Sequence, residues 1–378
     1  MGYGGRIMNS IKGILFGIVL FLVSFGVLYW NEGRADMSDV AKKATVIEAS
    51  NVTANQAFDG LLVSATGTVT AEPMIGDDLY LKPGAYFAVE RNVEVYSWVE
   101  QEETTTKTTT GGSSTSETTY TYVMEWADTP ADSSNFHVPE GHTNAPASID
   151  DLTKNVDEAM LEQYSFAPES VDAPSLSKVV LKADKLTLTQ NASLANDTYV
   201  FVRNSTTGTY TAPQLGDVRV SYNALPVPFE GTLFGKLDGG TIDPYVSSKG
   251  DTLYRVFEGG HDESVAQLHS EYTTSLWIFR LVGFLMMWFG LTALFGPISI
   301  ILDFLPVFGA ISRALIGVIT FAVALVLSAV TIVISAILHS LIAVIIVGVI
   351  ALGAMIAGLM VWRKNKAKTS PASASSKM

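Results

Sequence analysis

The chain is apolar at both ends and polar between them, and this layout restricts it to a membrane protein carrying a large water-facing domain. Residues 14–30 are apolar or small throughout and stop at Asn31-Glu32-Gly33-Arg34. The chain then stays polar to Ser275 and is largely apolar again from Leu276 to Trp362. A hydrocarbon core about 30 Å thick takes about 20 apolar residues in a helix. Residues 11–30 meet that length, with Lys12 at the inner edge. The run is too long for a cleaved signal, and it ends in Tyr29-Trp30 rather than in small residues, so an uncleaved anchor is expected. Both rings suit the headgroup level.

A second span is expected over 276–302. Arg280 lies near its start, where it either snorkels to the interface or joins a buried ion pair. Gly296-Pro297 predicts a kink near its far end. From Ala314 to Trp362 there are 49 residues without a Lys, Arg, Asp or Glu. At 1.5 Å per residue one helix of that length overshoots a bilayer. Two spans, 314–334 and 340–362, joined by a turn at Ser335–Ser340, solve this. Four spans put both termini on one side, together with Arg6, Lys12, Arg313, Arg363, Lys364, Lys366 and Lys368. The positive-inside rule makes that side the cytoplasm. Residues 1–10, the 303–313 loop and a disordered 363–378 tail then lie inside, and 31–275 lies outside. No span carries Asp, Glu or Lys near mid-depth, which argues against a charged relay.

Charge is segregated in the same way. The net charge is −13, and 36 acidic against 15 basic side chains fall within 31–275. A domain this acidic repels nucleic acid and anionic headgroups, so no nucleic-acid partner is expected. The chain has no cysteine, which excludes thiolate metal sites, cysteine nucleophiles and disulfides.

The outer domain reads mainly as strands. Residues 61–70, 85–99, 119–126, 185–190, 198–203, 216–222 and 252–258 are β-branched or alternate apolar with polar. Gly76-Asp77, Gly216-Asp217 and Gly250-Asp251 mark turns. One helix is expected over Asp151–Tyr164, with Ile149, Leu152, Val156, Met160 and Leu161 at helical spacing. Residues 104–118, almost wholly Thr, Ser and Gly, predict a hairpin with a disordered tip. The fold class is therefore an α+β membrane protein: four transmembrane helices, with a β-rich ectodomain inserted between helix 1 and helices 2–4.

No nucleophile elbow, phosphate-binding glycine loop or zinc-helix motif is present, so neither catalysis nor a cofactor is expected. His137, Glu140 and His142 in FHVPEGH could hold a metal only if a further ligand joined them, and Pro139 and Gly141 make the segment a surface loop. His261, Asp262 and Glu263 form a second, equally unspecific polar cluster. Asn51, Asn191, Asn196 and Asn204 open Asn-X-Ser/Thr triplets, which arise readily by chance in a Thr-rich chain.

The most specific segment is the membrane junction Trp30, Asn31, Glu32, Gly33 and Arg34. Gly33 suits a helix terminus in the left-handed region. Arg34 stands outside, against the charge bias, which points to a fixed partner: Glu32, a lipid phosphate or the base of the ectodomain.

At this point the chain resembles the transmembrane protein 43 (LUMA) family. The resemblance rests on LFLVSFGVLYWNEGRA, YSWVEQEE, TTYTYVMEW, NFHVPEGHTNAP, GDVRVSY and GDTLYRVFEGG. It includes LDFLPVFGAI after the second span, with Asp303, Phe304, Pro306 and Phe308 as a loop motif. It implies four spans, cytosolic termini, a large lumenal or periplasmic domain and homo-oligomerisation, and it brings no catalytic residues. In animals the family is associated with the endoplasmic reticulum and inner nuclear membrane and with emerin and lamins. Cysteine-free spans, the Thr-rich tip and the short Ser/Lys tail suggest a bacterial member in the inner membrane, for which those partners do not transfer. The expected function is a membrane scaffold organising lipid or protein assemblies. The alternatives are a pore or transport component built from the spans, and an ectodomain enzyme acting on envelope material.

Overall fold

A computed structural model describes residues 3–108, 114–248, 250–295 and 309–339. The chain divides into two compact units, a helical one and a β-rich one.

In the helical unit, α1 (Tyr3–Glu32) carries the first apolar run. The β-rich unit follows, with short helices α2 (Met37–Ala41) and α3 (Val52–Asn55) near its start. After it come α4 (His261–Leu294) and α5 (Gly309–His339). α1, α4 and α5 are long and apolar enough to cross a bilayer. α4 starts well before the second expected span: its first turns are amphipathic, burying Ser264 and Leu268. A helix-capping contact fixes its start, where Glu263 accepts the Gly260 N–H at 2.8 Å and Gly259 has a φ of 89°. The polar cluster around His261 is therefore a helix terminus. α5 continues through Ser335 to His339, so those residues extend the third span instead of turning. Backbone hydrogen bonding satisfies a helix locally, and scattered Ser and His do not stop it inside an apolar medium. The fourth expected span, the Gly296-Pro297 kink and the Asp303, Phe304, Pro306 and Phe308 motif lie outside the described residues.

The β-rich unit contains β1 (Thr45–Glu48), β2 (Leu62–Glu72), β3 (Tyr86–Thr108), β4 (Ser114–Ala127), β5 (Leu152–Asn155), β6 (Glu158–Leu161), β7 (Tyr164–Phe166), β8 (Ser177–Lys178), β9 (Ala192–Leu194) and β10 (Val200–Val202). It continues with β11 (Val218–Pro226), β12 (Phe229–Asp238), β13 (Thr241–Asp243), β14 (Tyr245–Val246), β15 (Thr252–Leu253) and β16 (Arg255–Glu258). One sheet runs β1-β2-β6-β7-β13-β12-β16, and a further β2–β12 pairing closes β2, β6, β7, β13 and β12 into a small barrel. Closure removes exposed strand edges. A second sheet runs β4-β3-β11-β10-β9, with β5 on β3 and β8 on β11. Alternate residues of β11 (Val218, Val220, Tyr222, Ala224) are buried, as a half-covered strand requires.

A polar knot is set within this core. Asp77 pairs with Arg91 at 3.1 Å and accepts the Tyr222 hydroxyl, while Arg91 Nε donates to the Asp150 carbonyl at 2.9 Å. Burial, then the hydrogen bond to Asp77, pushes the Tyr222 hydroxyl far above its ordinary range. Buried polar groups of this kind persist only when each is partnered.

Three local expectations change. Asp151–Tyr164 is not a helix but β5, β6 and the start of β7. Val156, Ala159, Leu161, Tyr164 and Phe166 are buried, a pattern that approximates helical spacing over a short window but serves pairing with β2 and β3. Glu162, at φ 53°, makes the turn, and its N–H and carboxylate both bond to the Thr68 backbone. Residues 185–190 are not a strand: a 3-10 turn at Ala183–Lys185 leads into a single bridge between Leu186 and Leu81, with no longer ladder to extend it. The Thr-rich segment is not a free tip at its flanks. β3 reaches Thr108 and β4 starts at Ser114, with Thr104–Thr118 and Thr106–Ser116 hydroxyl pairs at 2.9 Å. β-branched threonines suit a ribbon, so strand propensity outweighs low hydrophobicity here.

Candidate functional site: the membrane junction

The end of α1 is built from side chains that all turn to neighbouring helices. Its last turn tightens, with Gly33 N–H on the Trp30 carbonyl at 3.1 Å and Arg34 N–H on the Asn31 carbonyl at 3.4 Å. Arg34, just past the helix end, folds back over the Trp30 ring. Across from them, Ser275, Leu276, Phe279 and Arg280 share one side of α4.

Contacts follow residue by residue. Trp30 meets Phe279 edge-on at 5.3 Å. The Arg34 guanidinium lies 5.5 Å from each of those two ring centroids and donates to Ser275 Oγ at 2.7 Å and Asn31 Oδ1 at 3.4 Å. Asn31 is fully buried, and its Nδ2 donates to the Leu276 carbonyl at 3.0 Å. Glu32, with a side chain 5% exposed, accepts Nε and Nη2 of Arg280, both at 2.8 Å. Arg280 also sits 4.8 Å from the Trp277 ring. A forked, charge-assisted pair of this kind fixes both distance and angle.

Arg280 is thus held in an ion pair, and Glu32 serves α4 rather than Arg34. The partner sought for Arg34 is a serine hydroxyl and two aromatic faces. Gly33 is not in the left-handed region. Its small size matters instead: a Cβ there would lie 2.5 Å from His339 Nε2. His339 packs against Tyr29 with centroids 4.4 Å apart, and its Nδ1 lies 2.8 Å from the Ser335 carbonyl. A carbonyl only accepts, so Nδ1 carries the proton.

Below the junction, glycine brings α1 and α4 into backbone contact. A Cβ on Gly290 would lie 2.7 Å from the Phe21 nitrogen, and one on Gly17 would lie 2.9 Å from the Gly290 carbonyl oxygen. Close approach of this type is how helices associate in lipid, where apolar burial drives little. α5 joins α4 through Thr292–Thr320 at 2.9 Å and Trp288 Nε1 to the Gly317 carbonyl at 3.1 Å. Sequence reasoning missed Ser275, Phe279, His339 and the Gly17/Gly290 pair. The Ser275/Phe279 spacing of four was the available hint; nothing local marks which helix His339 faces.

A second cluster lies in the β-rich unit. Glu100 accepts both the Tyr122 hydroxyl and the His137 N–H at 2.6 Å. His137 stacks on Tyr120 at 4.2 Å and His142 on Tyr122 at 3.9 Å. Asn144 bonds both backbone groups of Trp98, at 2.7 and 2.9 Å. The histidine loop is thereby pinned to the β3/β4 ribbon. Among the described residues, no group of three or more His, Asp or Glu converges as a metal site.

The family model described as transmembrane protein 43 matches residues 95–341. A transmembrane protein 43 homolog of Drosophila melanogaster is 28% identical over 74% of this chain and 75% of its own length. Transmembrane protein 43 of Mus musculus and that of Homo sapiens are each 24% identical over 81% of this chain and 79% of theirs. No solved structure matches. The chain belongs to the transmembrane protein 43 family.

Proposed function

We propose that this family member is a multi-pass scaffold: a homo-oligomer that organises membrane or envelope assemblies and presents its β-rich domain outside the cytoplasm. The observation that carries the reading is the junction. Trp30, Asn31, Glu32, Gly33 and Arg34 are all committed to holding α1 against α4 and α5, by an ion pair, hydrogen bonds and ring contacts. Such a construction sets the exit geometry of two helices and spends no side chain on a reacting centre. A buried hydroxyl of the spans serves the same end: Thr320 meets Thr292 of α4 at 2.9 Å. The cysteine-free composition and the acidic domain suit the inner membrane of a bacterium as its setting.

Crosslinking in native membranes, followed by identification of the neighbours, tests the proposal. Self-crosslinked species and a recurrent set of membrane neighbours are expected. A chain that stays monomeric across concentrations, with neighbours that match bulk membrane composition, refutes it. A reporter fused at Thr110 should report outside the cytoplasm; a cytoplasmic readout overturns the topology.

A further inference from the structure

Gly26 sits on the side of α1 that meets α5, one turn below Tyr29, and a Cβ added to it would touch nothing within 4 Å. The missing side chain opens a trough of about 490 Å³ between the two helices. Phe25, Gly26 and Tyr29 form one wall, and Leu327, Val330 and Ile334 the other. Tyr29 and His339, ring against ring, stand at its headgroup end. Phe25 bears edge-on against Phe21 at 5.1 Å towards the other end.

We infer that this trough is a binding site for one phospholipid, with an acyl chain between α1 and α5 and the Tyr29 hydroxyl at the level of its ester groups. Three observations fit that occupant. Both helices are long and apolar enough to cross a bilayer, so acyl chains are the medium around them. The walls named are apolar, and an empty apolar trough forfeits dispersion contacts along its whole length. At the headgroup end the polarity changes: the Tyr29 phenol stands there, on a residue that is 47% exposed. Apolar below and a hydrogen-bond donor above is the pattern of an amphiphile. A tyrosine at this depth presents an apolar ring and a wet tip. The site does not depend on the scaffold reading, because it needs only one chain.

A Cβ is accommodated freely at Gly26, which makes the test direct. Gly26→Leu places four carbons where the acyl chain would lie and meets no neighbouring atom at its Cβ. Val19→Phe, an equally large addition at a 59% exposed position outside the trough, is the control. Wild type and both variants are purified in mild detergent, checked for equal thermal stability, and weighed by native mass spectrometry. One retained phospholipid per chain is expected for wild type and Val19→Phe, with roughly tenfold weaker retention for Gly26→Leu. Equal retention in all three reduces the lipid to an annular one and overturns the site, as does a retained species without phosphorus. The cysteine-free background supplies a second arm. The Gly26→Cys variant should form no intermolecular disulfide on oxidation in the membrane, whereas a disulfide-linked dimer would put a second copy of the chain in the trough and overturn the lipid site. Crosslinking from the thiol of that variant into residues 340–362 would assign the trough to the chain's own last apolar run, with the same consequence.

Discussion

Removing Arg280 should cost far more than removing it together with Glu32. In wild type, the Glu32 carboxylate is 5% exposed and takes both of its hydrogen bonds from Arg280 at 2.8 Å. Arg280→Met keeps much of the stem volume but leaves a charge acceptor in an apolar setting, with no other partner among the described residues. Loss of one member of a buried pair costs about 3–5 kcal/mol, chiefly through the uncompensated partner. Replacing both partners by apolar residues of similar volume is often close to neutral. Glu32→Leu/Arg280→Met should therefore recover most of the loss seen in Arg280→Met. Reversible unfolding in mixed detergent micelles, run as a double-mutant cycle, reads the difference, and a coupling of about 2 kcal/mol or more is expected. If Arg280→Met unfolds within about 0.5 kcal/mol of wild type, the pair is a solvated surface contact and the reasoning fails. If the double variant is as unstable as the single one, the ion pair carries specific geometry that apolar packing cannot replace.

Other expectations are more local. Gly33→Ala should destabilise the helical unit by about 1–3 kcal/mol through the clash with His339, and His339→Ala should relieve it in the double variant; thermal melting of the four proteins checks this. At Asp36, desolvation pushes the carboxyl up, but hydrogen bonds from Ser38 and His269 outweigh it and hold the group below its ordinary 3.8. Its stabilisation is therefore full above that value and is lost as pH falls through the lower folded value, so Asp36→Asn should flatten the acid limb of the β-rich unit's melting profile. Replacing residues 104–118 by a short Gly-containing turn should leave melting of the β-rich unit unchanged. The side chains of 104–107 and 115–117 are exposed although their backbones are paired; a large loss of stability would show that the ribbon is packed.

The sequence alone determined the membrane character, three helices long and apolar enough to span, and the β-rich character of the inserted domain. These properties are one-dimensional: a bilayer reads the length of an apolar run, and a half-buried strand reads alternation. It also marked the junction, because an arginine beyond the span and a glycine at its end stand out locally. Partners could not be read in the same way. Glu32 reaches Arg280 across 248 positions and Arg34 reaches Ser275 across 241. Only the packing of α1 against α4 brings them together. The same holds for Asp151–Tyr164, where about three turns of helical spacing coincide with a strand pattern. Neighbours far along the chain, β2 and β3, decide between the two, because a strand is stabilised only once its partner is present. Gly26 and Gly33 make the same point at single residues. In sequence both are small residues near the end of an apolar run. Tertiary structure decides that one leaves room against α5 and the other lets a histidine ring approach, since a missing side chain acquires meaning only from what faces it.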